Sequence, residues 1–90
     1  MRRLFSSSQF DRDVKLQQRR GKDLEKLNSV FRALAAEETL PPIYRGHRLA
    51  GPWKGRNECH LEPDWLLIYR VESDRIIFER TGSHADLFKL

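Results

Sequence analysis

The 90-residue chain has a single cysteine, Cys59, so no intrachain disulfide can form, which fits a reducing compartment. It also lacks any apolar run long enough to span a membrane. Its basic start, Met1-Arg2-Arg3-Leu4-Phe5-Ser6, is not followed by the hydrophobic stretch of a signal peptide. The expectation is a cytoplasmic protein with no membrane partner. There is no glycine-rich nucleotide loop and no Gly-x-Ser-x-Gly nucleophile elbow. Neither a paired-cysteine knuckle nor a two-histidine helical pair occurs, and Cys59 and His60, adjacent on an expected strand, point to opposite faces. No metal and no other cofactor is therefore expected.

What remains is enough for one small folded domain, residues 1–90. Apolar residues make up 39% of the chain and recur at regular spacing, which excludes a disordered polyelectrolyte. The net charge of +4 is unevenly placed: residues 1–50 carry 11 Lys/Arg against 6 Asp/Glu, residues 51–90 carry 6 against 7. A basic N-terminal half suits a polyanionic or acidic partner, although a solvated helix face has the same composition.

Arg2–Ser6 is a candidate first strand, and Ser6-Ser7-Ser8 supplies oxygens for a helix N-cap. The spacing of Phe10 and Val14 predicts a first helix over Gln9–Arg19, closed by Gly21. Leu24, Leu27, Val30, Phe31, Leu34 and Ala35 predict a second over Asp23–Glu38, broken by Leu40-Pro41-Pro42. Ile43–Gly55, interrupted by glycine and proline, reads as an ordered loop containing His47 and Trp53. Three strands follow: Asn57–Leu61, with Cys59 and Leu61 on one face and Glu58 and His60 on the other; Trp65–Val71, apolar on both faces; and Arg75–Thr81. Ser83-His84-Ala85-Asp86 fits a capping box opening a short last helix. The expected class is α+β, two N-terminal helices packed on a small antiparallel sheet (β-α-α-β-β-β) with a short C-terminal helix.

The chemistry-bearing residues gather in the second half. The turn at Pro63-Asp64 brings a carboxylate near His60 in sequence, and a carboxylate fixes an imidazole's tautomer for proton transfer. A surface histidine beside a turn-forming aspartate accounts for the same residues. Arg80, Ser83 and the start of the last helix suit an anion such as phosphate, with Phe88 four residues beyond His84 able to stack on a base. A core phenylalanine and a simple cap account for these equally. His47, His60, Asp64 and His84 with Arg80 are sufficient for RNA cleavage: RNA carries its own 2′-hydroxyl nucleophile, and only a base, an acid and a cation are needed.

Three segments, Leu49-Ala50-Gly51-Pro52-Trp53-Lys54-Gly55, Glu58-Cys59-His60-Leu61-Glu62-Pro63-Asp64-Trp65-Leu66-Leu67-Ile68-Tyr69 and Phe78-Glu79-Arg80-Thr81-Gly82-Ser83-His84-Ala85-Asp86-Leu87-Phe88, resemble the YafQ branch of the RelE/ParE toxin superfamily. The resemblance spans essentially the whole chain. It implies a RelE-like fold and a type II toxin: an endoribonuclease that cuts mRNA in the ribosomal 30S A site and is neutralised by a cognate antitoxin. Family functional positions fall on His47, His60, Asp64, Trp65, Arg80, His84 and Phe88. The implied roles are His84 as acid towards the leaving 5′-oxygen, His60 and Asp64 with His47 serving the 2′-hydroxyl, Arg80 on the phosphate, and Trp65 and Phe88 positioning base or acid.

The chain departs from the pattern at Arg56-Asn57-Glu58, where the arginine stands one place early and so falls on the other strand face. Strict alternation also puts Arg80 on the core face of Ile76 and Phe78 unless a bulge or a frayed strand end intervenes near Thr81-Gly82. Two rival functions remain at this level. One is a ParE-like gyrase inhibitor, which lacks this acid–base set; the other is a non-catalytic nucleic-acid-binding helical hairpin.

Overall fold

Ser7 starts the first long element. Its hydroxyl accepts the amide of Phe10 at 3.0 Å, capping α1, Ser8–Arg19. The structure, a computed structural model, describes residues 1–88, so the last two residues of the expected domain lie outside the described residues. Gly21, at φ 82°, turns the chain into α2, Glu25–Ala35. This helix is shorter at both ends than its apolar stripe suggests. Asp23 accepts the Glu25 amide from outside the helix, and Glu37 enters the left-handed region at φ 60°. Leu27, Val30 and Leu34 are its buried face, and α1 buries Phe10 together with two polar residues, Asp13 and Gln17.

Among the described residues five strands form one sheet in the order β1-β5-β4-β3-β2: β1 is Arg3–Ser6, β2 His47–Arg48, β3 Asn57–Glu62, β4 Trp65–Val71 and β5 Arg75–Gly82. The expected α+β architecture is present, with antiparallel pairing from β2 to β5. β1 joins parallel to β5, making the sheet mixed. A parallel partner needs a crossover, and α1 with α2 begins that long connection. The ordered loop contains two 3₁₀ turns, Pro42–Tyr44 and Gly51–Trp53, with β2 between them.

α1 and α2 cover one face of the sheet, where Phe10, Leu27, Val30 and Leu34 meet Cys59, Trp65, Leu67, Tyr69, Ile76 and Phe78. The other face is covered only in part. Leu87 of α3, His84–Phe88, packs on Leu66 and Ile68, with Leu49, Trp53 and Phe88 at its margin. β4 is thus apolar on both faces because both are packed. No helix among the described residues is long and apolar enough to cross a membrane.

A β-bulge settles the face of Arg80. Thr81 lies opposite Leu67 and Arg80 opposite Ile68, but Phe78 lies opposite Tyr69, leaving Glu79 as the extra residue. Arg80 consequently leaves the core face of Ile76 and Phe78 and joins the partly open face, as Glu58 and His60 do through Ile68 and Leu66.

Candidate active site

The open face brings all three imidazoles into one row. Ring centroids of His47 and His60 are 6.4 Å apart, and those of His60 and His84 are 5.9 Å apart. Each ring has a fixed partner, though not always the expected one. Asp64, in the turn between β3 and β4, reaches across to His84 rather than to His60. Its Oδ1 accepts the His84 backbone amide at 2.9 Å and lies 2.6 Å from His84 Nδ1. These bonds, the backbone one foremost, hold the Asp64 carboxyl below its ordinary value, so it stays ionised. An Nδ1–H donated to this carboxylate leaves Nε2 of His84 for a substrate.

The last helix begins on a tight clamp. Ser83 and Asp86 cap each other reciprocally, Asp86 N to Ser83 Oγ at 3.1 Å and Ser83 N to Asp86 Oδ2 at 2.9 Å. Arg20, at the end of α1, forks onto the same carboxylate at 2.5 and 3.1 Å and holds its pKa far below normal. Gly82 is required beside it, because a Cβ there would stand 2.8 Å from Asp86 Oδ2. The amides of Ser83, His84 and Asp86 are therefore already taken, by Asp86, Asp64 and Ser83.

His60 and His47 share a residue that sequence reasoning passed over. Glu58 is buried, and its Oε1 lies 3.3 Å from Nε2 of each imidazole. His47 also places Nδ1 3.0 Å from the carbonyl oxygen of Arg45, which holds a left-handed turn at φ 50°. A carbonyl only accepts, so Nδ1 carries a hydrogen and Nε2 is the nitrogen turned to Glu58. The signal for Glu58 was present in the strand alternation, which put it on the face of His60.

Arg80 stands on this face but is tied to α1. Its Nε and Nη2 reach the buried carboxylate of Asp13 at 2.7 and 3.3 Å, and Asp13 also accepts the Thr81 amide at 3.1 Å. Asp13 thus caps the edge of β5 beyond the end of β1. Among the described residues Arg80 Nη1 makes no hydrogen bond. Arg56 ion-pairs with Glu79 at 2.7 Å, and Arg70 reaches the other oxygen of that carboxylate at 2.7 Å.

Trp65 is a correction. It is fully buried, with its indole N–H donating to Thr81 Oγ1 at 2.9 Å, and cannot meet a nucleotide. Phe88 is half-buried, edge-on to Trp53 at 6.1 Å and 6.4 Å from the His84 ring. Burial pushes the Cys59 thiol up to about 12, which removes it as a nucleophile. Among the described residues no group of three or more His, Cys, Asp or Glu is arranged to hold a metal ion.

A family model described as the YafQ bacterial toxin of type II toxin–antitoxin systems matches residues 2–89. The chain belongs to the YafQ toxin family. The mRNA interferase toxin YafQ of Escherichia coli is 47% identical to it over 83 residues, covering 91% of this chain and 90% of that protein. A chain in the E. coli DinJ–YafQ complex superposes with a TM-score of 0.91 at 45% identity, covering 98% of this chain and 99% of that one. A metal-bound toxin from Helicobacter pylori has a TM-score of 0.91 at 40% identity, covering 98% and 100%. The YafQ resemblance of the sequence motifs is therefore matched by the fold.

Proposed function

We propose that this YafQ-family chain is the toxin of a type II toxin–antitoxin system and cuts translated mRNA in the ribosomal A site. The carrying observation is the division of one sheet face into two proton stations, His84–Asp64 and His47–Glu58–His60, with Arg80 on the same face. Kinship to an E. coli protein named as an mRNA interferase toxin supports the same reading.

The chemistry follows from the two stations. The 2′-oxygen attacks the adjacent phosphorus while its proton passes to the Glu58 station. The P–O5′ bond breaks, and the departing 5′-oxygen takes a proton from His84 Nε2. The products are a 2′,3′-cyclic phosphate and a 5′-hydroxyl. Nη1 of Arg80 faces the charge that builds on the phosphate, with Asp13 fixing the fork. Phe88 positions His84 from the side.

The partners follow from this activity. An antitoxin protein neutralises the toxin, as the DinJ–YafQ assembly of the relative suggests. mRNA and the ribosome are the substrate and its carrier, and cleavage of translated messages sets the site of action in the cytoplasm. Induction of the chain in bacteria should give cuts on translated mRNAs with 5′-hydroxyl ends that vanish in His84→Ala. Growth arrest without such cuts, or arrest unchanged in the variant, contradicts the nuclease reading and favours gyrase as the target.

A further inference from the structure

A recess of about 610 Å³ opens off His60, on the side of that ring away from His84 and Asp64. That volume lies within the roughly 300–1,000 Å³ of small-ligand sites. It exists because β2 pairs only with Asn57 and Glu58, leaving the rest of the β3 edge to face the Pro42–Tyr44 turn and α2. Tyr44, Ile43 and Pro63 give it apolar lining, and Lys26 and Arg45 give it charge. Ile43 is 81% exposed, so its side chain is open to a ligand. Tyr44, by contrast, is anchored against the helical core.

The local charge is positive. Glu62 also lines the recess, but Lys22 and Lys26 bond its two oxygens at 2.8 and 2.9 Å. Arg45 is then left over for a polyanion. His60 is the shared wall between recess and catalytic face, and its Nδ1 is buried with no partner among the described residues. His84, Asp64 and Arg80 do not line the recess. It is continuous with the proton-accepting station alone.

We propose that this recess is a nucleobase subsite that takes the base on the 5′ side of the cut. The proposal rests on the mRNA-cleaving reading. The attacking 2′-hydroxyl belongs to the nucleotide on the 5′ side, so the base of that nucleotide extends past the imidazole that serves the hydroxyl. Tyr44 and Ile43 supply the surface for the base, and Arg45 meets the backbone phosphate next to it.

Single-turnover cleavage on programmed ribosomes tests this, with RNA intact, abasic at the 5′-side nucleotide, or abasic at the 3′-side nucleotide. Wild type is compared with an Ile43→Ala variant. That side chain is 81% exposed, and an unchanged unfolding midpoint verifies that the variant folds. Removing the 5′-side base is expected to raise the toxin concentration that gives half-maximal wild-type cleavage about ten-fold, with the maximal rate constant nearly unchanged. The variant should show part of that loss on intact RNA and no further loss on the 5′-abasic RNA, while the 3′-abasic RNA affects both proteins alike. Losses that multiply, or a wild type indifferent to the 5′-side base, overturn the subsite. A wild type that cuts none of the RNAs overturns the nuclease reading and the subsite with it, a result distinct from cutting without base dependence.

Discussion

Asp64 and Glu58 hold imidazoles on the same sheet face from opposite surroundings. Asp64 sits in a turn with 69% of its side chain exposed and serves one ring; Glu58 sits on β3 with 6% exposed and stands between two. Water can stand in for part of what Asp64 does, and the His84 amide gives that carboxylate a second hold. No water replaces a buried carboxylate so readily, and the two rings that face Glu58 lose their common partner when it goes. The exposed station is therefore the tolerant one and the buried station the fragile one.

The largest effect should come from deleting a ring outright. His84→Ala is expected to lower single-turnover cleavage about a thousand-fold through loss of the acid, with the unfolding midpoint nearly unchanged. Asp13→Asn should act chiefly on stability. The charged hydrogen bonds from Arg80 and the Thr81 amide are weakened at a buried site, and urea denaturation should show a loss of about 2–3 kcal/mol. The two carboxylates are then compared directly. Glu58→Gln should slow cleavage about a hundred-fold, and Asp64→Asn only about ten-fold with no change in the denaturation curve. Equal losses would erase the distinction between the stations.

The smallest effect concerns acid. Arg20 holds the Asp86 carboxyl far below its ordinary 3.8, so on acidification the unfolded chain takes up the proton first. The stability from this clamp is complete above about pH 4 and is lost as pH falls towards the folded pKa. Asp86→Asn should therefore narrow the gap between unfolding midpoints at pH 6 and pH 3.

The helices and the β3–β5 hairpins were legible in the sequence because each is fixed by local pattern: an apolar stripe in α2, Ser7 as a cap, alternation around Cys59. Glu58 was legible too, since alternation set it beside His60, but a lone glutamate carries no motif. Asp64 and His84 are 20 residues apart, and Asp13 and Arg80 are 67 apart. Such pairs depend on which strands become neighbours and on the Glu79 bulge, neither of which a local pattern encodes. Trp65 shows the opposite case. The apolar run through β4 signalled burial on both faces, and that packing signal outweighs the position's resemblance to a family binding residue.

The central claim is that acid and base occupy separate stations. It is tested most directly with RNA whose leaving 5′-oxygen is replaced by sulfur, because a thiolate departs without needing a proton. The thio-substituted RNA should restore cleavage by His84→Ala to within about ten-fold of wild type and leave Glu58→Gln as slow as before. Failure to rescue His84→Ala, or equal rescue of both variants, would contradict the assignment.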